Sequence, residues 1–227
     1  MAALRDELSL ARERMLERDL RARDIRDPRV LAAMQRVPRE AFVEPGMERQ
    51  AYEDAPLPIG EGQTISQPYM VALMAQAAAI NEADRVLEVG TGSGYAAAVL
   101  AELVARVDSV ERHPSLAATA SRRLAALGYL HLHVHVGDGS RGWPAGAPFD
   151  VIVVAAAAPA VPPALREQLA IGGRLVIPLG GDGGVQRLCR VTRRAADRFD
   201  SDDLGGVVFV PLVGEQGWAE AGEGSRG

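Results

Sequence analysis

Lysine is missing from this sequence; every basic residue is arginine. That absence excludes a lysine Schiff base. It also excludes a Walker A phosphate loop, whose lysine must reach the β/γ-phosphates. Cysteine is nearly missing too. With Cys189 alone, neither an intrachain disulfide nor a cysteine-built zinc cluster can form. The thiol itself reads as a small buried apolar group. Positive charge is not in excess: 25 basic and 30 acidic residues give a formal net charge of −5. The basic stripe that grips nucleic acid by its phosphates is therefore lacking. Arg5, Arg12, Arg14, Arg18, Arg21 and Arg23 are interleaved with Asp and Glu and read as a solvated helix face. No apolar run is long enough to span a bilayer, and Met1 to Leu20 is charged throughout, without the apolar stretch of a secretion signal. The expectation is a cytoplasmic protein with neither nucleic acid nor membrane as partner.

The 227 residues that are present suffice for one α/β domain with some extra elements. Leu4 to about Arg23 reads as a helix, with Leu4, Leu8, Ala11, Met15 and Leu16 near one face. Asp27-Pro28 signals a second helix start, and Val37-Pro38 stops that helix. Residues 44–62, rich in Pro and Gly, read as loop. Thr64 to Ser66 is a short extended piece, and Gln67-Pro68 opens a helix to about Ile80. From residue 85 strands and helices alternate. Strands are expected at Arg85–Val89, Val107–Val110, His131–Val136, Val151–Val154 and Arg174–Pro178. Helices are expected at Tyr95–Val104, Ser115–Leu127 and Pro163–Ala170. Short strands near Arg187–Thr192 and Gly206–Pro211 follow. Such alternation predicts a doubly wound, mostly parallel sheet with helices on both faces. The tail 215–227, rich in Gly and Glu, is expected to be disordered.

The strongest local signal is Val86-Leu87-Glu88-Val89-Gly90-Thr91-Gly92-Ser93-Gly94-Tyr95, an apolar strand running through alternating glycines into a helix. In an open α/β sheet this first strand-to-helix turn is the ligand crevice. Two cofactor classes use it. Read from Gly92, the segment to Ala97 fits the looser dinucleotide pattern G-x-G-x-x-A. The other class is S-adenosylmethionine, whose amino-acid end sits over a G-x-G-x-G loop. Glu88 favours the second reading, because a carboxylate there attracts the ligand's ammonium and repels a pyrophosphate. Glu111, about 20 residues beyond the loop, stands where an acidic residue binds a ribose hydroxyl. Asp138, between Gly137 and Gly139, can accept a hydrogen bond from an adenine amino group, although Asp-Gly is also an ordinary turn. His131, His133 and His135 alternate along one strand and share a face. Three imidazoles at that spacing suit zinc, but no fourth ligand is evident, and no metal is expected.

These segments, taken with several others, resemble the protein-L-isoaspartate O-methyltransferase family over about residues 15–213. The motifs are Val37-Pro38-Arg39-Glu40-Ala41-Phe42-Val43, Ala51-Tyr52 with Asp54, Leu57-Pro58-Ile59-Gly60 and Gly62-Gln63-Thr64-Ile65-Ser66-Gln67-Pro68-Tyr69. They continue with the glycine loop, Val110-Glu111-Arg112, Gly137-Asp138-Gly139, Gly142-Trp143-Pro144, Ala147-Pro148-Phe149-Asp150, Gly172-Gly173-Arg174 and Phe209-Val210-Pro211-Leu212. The Gly-Gln-Thr-Ile-Ser-Gln-Pro segment narrows the likeness to this family. The resemblance implies a doubly wound sheet of methyltransferase type with N-terminal helices and a strand-rich C-terminal extension. It implies one domain over 1–214: an N-terminal, substrate-side segment (1–80), a cofactor-binding core (81–180) and C-terminal strands (181–214).

It also implies methyl transfer from S-adenosylmethionine to the α-carboxyl of isoaspartyl residues in damaged proteins and peptides, by a monomer. Ser66 matches the family's active-site serine, and its bland alternative is a helix N-cap. Thr64 and Ile65 would line the cofactor site through their backbone, with Glu88, Gly90, Thr91, Gly92, Gly94, Glu111, Asp138 and Gly139 completing it. The chain departs from the family in having Ala155 where many relatives carry Thr or Gly, and Arg23-Asp24-Ile25 in place of a Gly-Ile turn. Three alternatives stay open: an aspartate methyltransferase with one dedicated peptide partner, an NAD-dependent oxidoreductase, and a non-catalytic cofactor-binding module.

Overall fold

The computed structural model describes residues 2–181 and 184–220. The helix expected over Leu4–Arg23 is one run of changing pitch: α1 (Ala2–Arg14), a π-helical stretch (Met15–Leu20) and a 3-10 turn (Arg21–Arg23). Met15, Leu16 and Leu20 are buried, while Leu4, expected on the same face, is exposed. Asp24 ends the run with φ 66° and ψ 21°. This left-handed conformation usually falls to glycine, so Asp24 does the work of the missing Gly-Ile turn. Asp27 then caps α2 (Pro28–Arg36) by accepting from Arg29 N at 2.8 Å.

The loop expected over 44–62 contains regular structure. Glu48–Gln50 is a 3-10 turn, and β1 (Leu57–Gly60) pairs antiparallel with β2 (Gln63–Ile65). Pro58 and a register shift between Pro58 and Gly60 concealed that hairpin, yet Leu57 and Ile59 point inward as strand alternation requires. Helix α3 follows (Pro68–Ala77).

The core repeats strand and helix: β3 (Val86–Val89), α4 (Tyr95–Ala101), β4 (Val107–Glu111), α5 (Pro114–Ala126), β5 (Leu132–Val136), β6 (Phe149–Val154), α6 (Pro163–Gln168) and β7 (Leu169–Leu179). Hairpin β8 (Gln186–Ala195) and β9 (Arg198–Val207) completes a seven-stranded sheet in the order β5-β4-β3-β6-β7-β8-β9. Pairings from β5 across to β7 are parallel, and those of β8 are antiparallel. All four residues of β3 are buried, as a central strand covered on both faces demands. The chain leaves β3 toward β4 on one side and returns to β6 on the other. The C-terminal ends of β3, β4 and β6 therefore surround the topological switch point where ligands bind.

The last strand lies earlier than the Gly206–Pro211 expected from apolar content. Its residues pair by charge: Arg194 with Asp200, Arg190 with Asp202, and Arg187 with Asp203. Such an edge strand carries no hydrophobic alternation to read. Residues 215–220, placed in a disordered tail by composition, fold back onto the sheet's carboxyl edge. Glu215 N donates to Asp138 Oδ2 at 2.7 Å, and Trp218 Nε1 donates to the Ala157 carbonyl at 3.0 Å. Residues 221–227 of that expectation lie outside the described residues. No helix among the described residues is long and apolar enough to cross a membrane.

Candidate functional site

Strand β3 ends at Val89, and the backbone turns over the sheet edge through Gly90 (φ 95°), Gly92 (φ 51°) and Gly94 (φ 91°) before α4 begins. A side chain at Gly94 would meet Leu124 at 3.2 Å, so left-handed φ and close helix packing both require glycine there. Glu111, at the end of β4, fastens this turn. Its Oε2 accepts from Gly92 N at 2.8 Å and its Oε1 from His113 N at 2.9 Å. Arg123 of α5 donates to the Ser93 carbonyl at 2.8 Å. The loop is thus held open by the protein itself.

Glu88 lies under the loop, is fully buried and does not itself line the cleft above it. Its Oε2 accepts from Ser109 Oγ at 2.5 Å, and Thr91 Oγ1 sits 2.5 Å from the same hydroxyl. Its Oε1 has no partner. Burial pushes the Glu88 carboxyl up to about 8; the Ser109 hydrogen bond works against this and the charge of Glu111 adds to it. A buried carboxyl with an unpartnered oxygen is what an incoming ammonium would satisfy. The residues therefore suit the ammonium end of S-adenosylmethionine. The fit with a pyrophosphate is poor.

A cleft opens above the loop, with about 880 Å³ of empty space counting its open mouth. The hairpin β1–β2 forms one wall. It brings Thr64, Ile65 and Ser66 to the same cleft as Gly90, Thr91, Gly92, Glu111 and Gly139. Gly94 stands behind the loop as the N-cap of α4. Ser66 is half-buried and does not cap α3. The N-cap there is Gln67, without a side-chain hydrogen bond. Asp54 serves that helix end instead, accepting from Tyr69 N at 3.1 Å while paired with Arg23. The N-cap alternative for Ser66 therefore fails, and the residue lines the cleft.

Asp138 is not in this cleft. It borders a second, more open one with Gly137, Val213 and Trp218, and Arg112 and Val213 are common to both. Sequence reasoning missed His113, Ala156 and Leu212–Val213 as cleft residues. His113 follows Glu111 at the carboxyl edge of a strand, which was a usable signal. Ala155 Cβ stands 3.5 Å from the place a Cβ on Gly90 would occupy, an ordinary van der Waals separation, so Ala155 adjoins the glycine turn.

The histidine row has other work. His135 Nε2 donates to Asp108 Oδ1 at 2.8 Å, and the ring stacks on Trp143 at 3.9 Å between ring centroids. His131 lies 3.0 Å from the Ala101 carbonyl, and His133 is exposed. Among the described residues no group of His, Cys, Asp and Glu could hold a metal.

A sequence model of the protein-L-isoaspartate(D-aspartate) O-methyltransferase family matches residues 11–217. The protein-L-isoaspartate O-methyltransferase 1 of Rhodopseudomonas palustris (strain HaA2) is 57% identical over 92% of this chain and 85% of its own. The protein-L-isoaspartate O-methyltransferase of Methylorubrum populi is 61% identical over 89% of this chain and 95% of its own. A solved protein-L-isoaspartate O-methyltransferase superposes with a TM-score of 0.82 at 28% identity, covering 91% of this chain and 67% of the other. A Plasmodium falciparum structure described as a protein of that kind, in complex with S-adenosyl-L-homocysteine, gives 0.76 at 27% identity, covering 88% and 96%.

Proposed function

Because the chain belongs to the protein-L-isoaspartate(D-aspartate) O-methyltransferase family, we propose that the cleft described above is where it methylates the α-carboxyl of isoaspartyl residues from S-adenosylmethionine. The sulfonium supplies an electrophilic methyl when the cofactor is bound. Everything else falls to the chain. From beneath the Gly90–Gly94 turn the buried Glu88 would attract the ammonium end, Glu111 in the cleft would meet the ribose, and Asp138 in the second cleft would accept from the base. Gly139 and the backbone of Thr64 and Ile65 complete the lining.

The isoaspartyl α-carboxylate is ionised at neutral pH, so no strong general base is needed. Ser66 would donate its hydroxyl to one carboxylate oxygen and hold the other in line with the methyl. The gain is orientation. Ile65 and Leu212, both buried, exclude water from the reacting atoms. The methyl ester is a better leaving group than the acid, so the neighbouring backbone amide can close a succinimide without the enzyme. Hydrolysis then returns part of it to normal aspartate. The single domain, with the N-terminal segment on the substrate side, is proposed to act as a cytoplasmic monomer on flexible protein segments. The low cysteine content and mild acidity support that setting.

The observation that carries this reading is the meeting of Ser66 with the glycine turn in one cleft. Ser66→Ala tests it in single turnovers with cofactor saturating. The expected loss is roughly 10- to 100-fold in the methyl-transfer rate, with cofactor affinity changed by less than about threefold. Wild-type transfer rates in the variant would show that Ser66 does not orient the acceptor.

A further inference from the structure

The segment Leu212–Trp218 is a closed turn. Trp218 N donates to the Leu212 carbonyl at 2.7 Å and Gly214 N to the Trp218 carbonyl at 3.0 Å. The Trp218 indole is tied to the Ala157 carbonyl at 3.0 Å, and Gln216 Oε1 accepts from Ala164 N at 2.9 Å. The turn is therefore anchored to both the end of the β6 segment and the start of α6.

Its inner side is aimed at one carboxylate. Glu215 N donates to Asp138 Oδ2 at 2.7 Å, and Gln216 N donates to Ser140 Oγ at 3.0 Å. Ser140 in turn donates to Asp138 Oδ1 from its N at 2.9 Å and its hydroxyl at 2.7 Å. A carboxylate oxygen has about two acceptor positions. Oδ1 is thus filled, and Oδ2 keeps one. Although burial works to raise the Asp138 carboxyl, the hydrogen bonds from Ser140 and Glu215 hold it below the usual carboxylate range. It is ionised and can only accept. Gly214 permits the approach, since a Cβ there would lie 2.0 Å from Asp138 Oδ1 and 2.6 Å from Ser140 Oγ.

Given the reading above, in which the cofactor's base lies beside Asp138, we propose that the Leu212–Trp218 turn sets the base specificity of the site by fixing the one open acceptor position of that carboxylate. Adenine offers an amino hydrogen to such a position. Hypoxanthine, with a carbonyl in the same place, offers no donor at that position. Glu215, through its backbone, and Trp218, through its anchor, are positioning residues that act on the base through Asp138.

The test compares binding of S-adenosylhomocysteine with that of S-inosylhomocysteine, its deaminated form, to the full chain by calorimetry. The proteins are wild type, Gly214→Ala and Trp218→Phe, with Asp138→Asn as the reference for a lost carboxylate. Wild type is expected to prefer the adenosyl compound by at least roughly tenfold, the worth of one hydrogen bond to a charged acceptor. Gly214→Ala and Trp218→Phe should lose most of that preference, while affinity for the inosyl compound moves by less than about threefold. A general loss of structure would lower both affinities together. If Gly214→Ala does not fold, Trp218→Phe decides alone. Retention of the full preference in the folded variants overturns the role of the turn. Absence of any preference in wild type overturns the placement of the base beside Asp138, and the proposal with it.

Discussion

Replacing Glu88 by glutamine should make the protein more stable and a worse binder of its cofactor. The side chain is fully buried, with one oxygen bonded to Ser109 and the other unpartnered. Folded Glu88 keeps its proton up to about pH 8, whereas an ordinary glutamate loses it near 4.5. Between those values folding takes up a proton, so stability falls as pH rises and levels off above about 8. By linkage the stability withheld at pH 7 is about 3 kcal/mol relative to acid solution. Glutamine has the same shape, can still accept from Ser109 and does not titrate. Urea denaturation of the cofactor-free protein from pH 5 to 9 should therefore show Glu88→Gln ahead by about 4 kcal/mol at pH 8 and level with the parent near pH 4.5. Comparing the two proteins cancels the other titrating groups. The same carboxyl must ionise to meet an ammonium, so S-adenosylhomocysteine binding at pH 6.5 should release a proton. Calorimetry in buffers of different ionisation enthalpy would detect it. The variant should release none and bind roughly tenfold or more weakly. A variant no more stable than its parent at pH 8, with unchanged cofactor affinity, would refute the reasoning.

Two further substitutions test the scaffold around the site. Asp24→Gly should raise stability by about 0.5–1 kcal/mol, because glycine takes φ 66° without strain. The Asp24–Arg26 pair it removes is exposed and worth little; an unchanged or lower melting temperature would count against strain there. Arg174→Ala should cost about 3 kcal/mol, since the guanidinium binds the Ala78 carbonyl at 2.9 Å, the Ala79 carbonyl at 2.6 Å and Asp84 at 2.6 Å. Denaturant titration reading less than about 1 kcal/mol would show that water replaces those bonds.

Much of this is legible in the sequence because the informative residues act locally. Asp27-Pro28 and Val37-Pro38 set the bounds of α2 by backbone sterics and capping alone. The Val86–Tyr95 segment announced both the central strand and the crevice, because only glycines permit that turn. What escaped depends on partners distant in sequence. Strand β9 is held by acid–arginine pairs across the hairpin, so its own composition gave no strand signal. The 215–220 segment looks like a polar tail until Asp138, Ser140 and Ala157 are placed beside it. Asp138 was read as facing the base, but nothing in its Gly-Asp-Gly setting indicated that Ser140 and Glu215 already take three of its acceptor positions. Likewise Ser66 could be an N-cap or a cleft residue from sequence. Asp54, serving the end of α3, decides between them.

The central claim is that this cleft methylates the free α-carboxylate of isoaspartate in general substrates. The most direct measurement is transfer of labelled methyl from S-adenosylmethionine to matched unstructured peptides carrying isoaspartate or aspartate at one position. Base-labile label on the isoaspartyl peptide alone is the predicted result. Label on neither peptide, with cofactor binding shown separately, would contradict the account and point to a dedicated partner or a non-catalytic role.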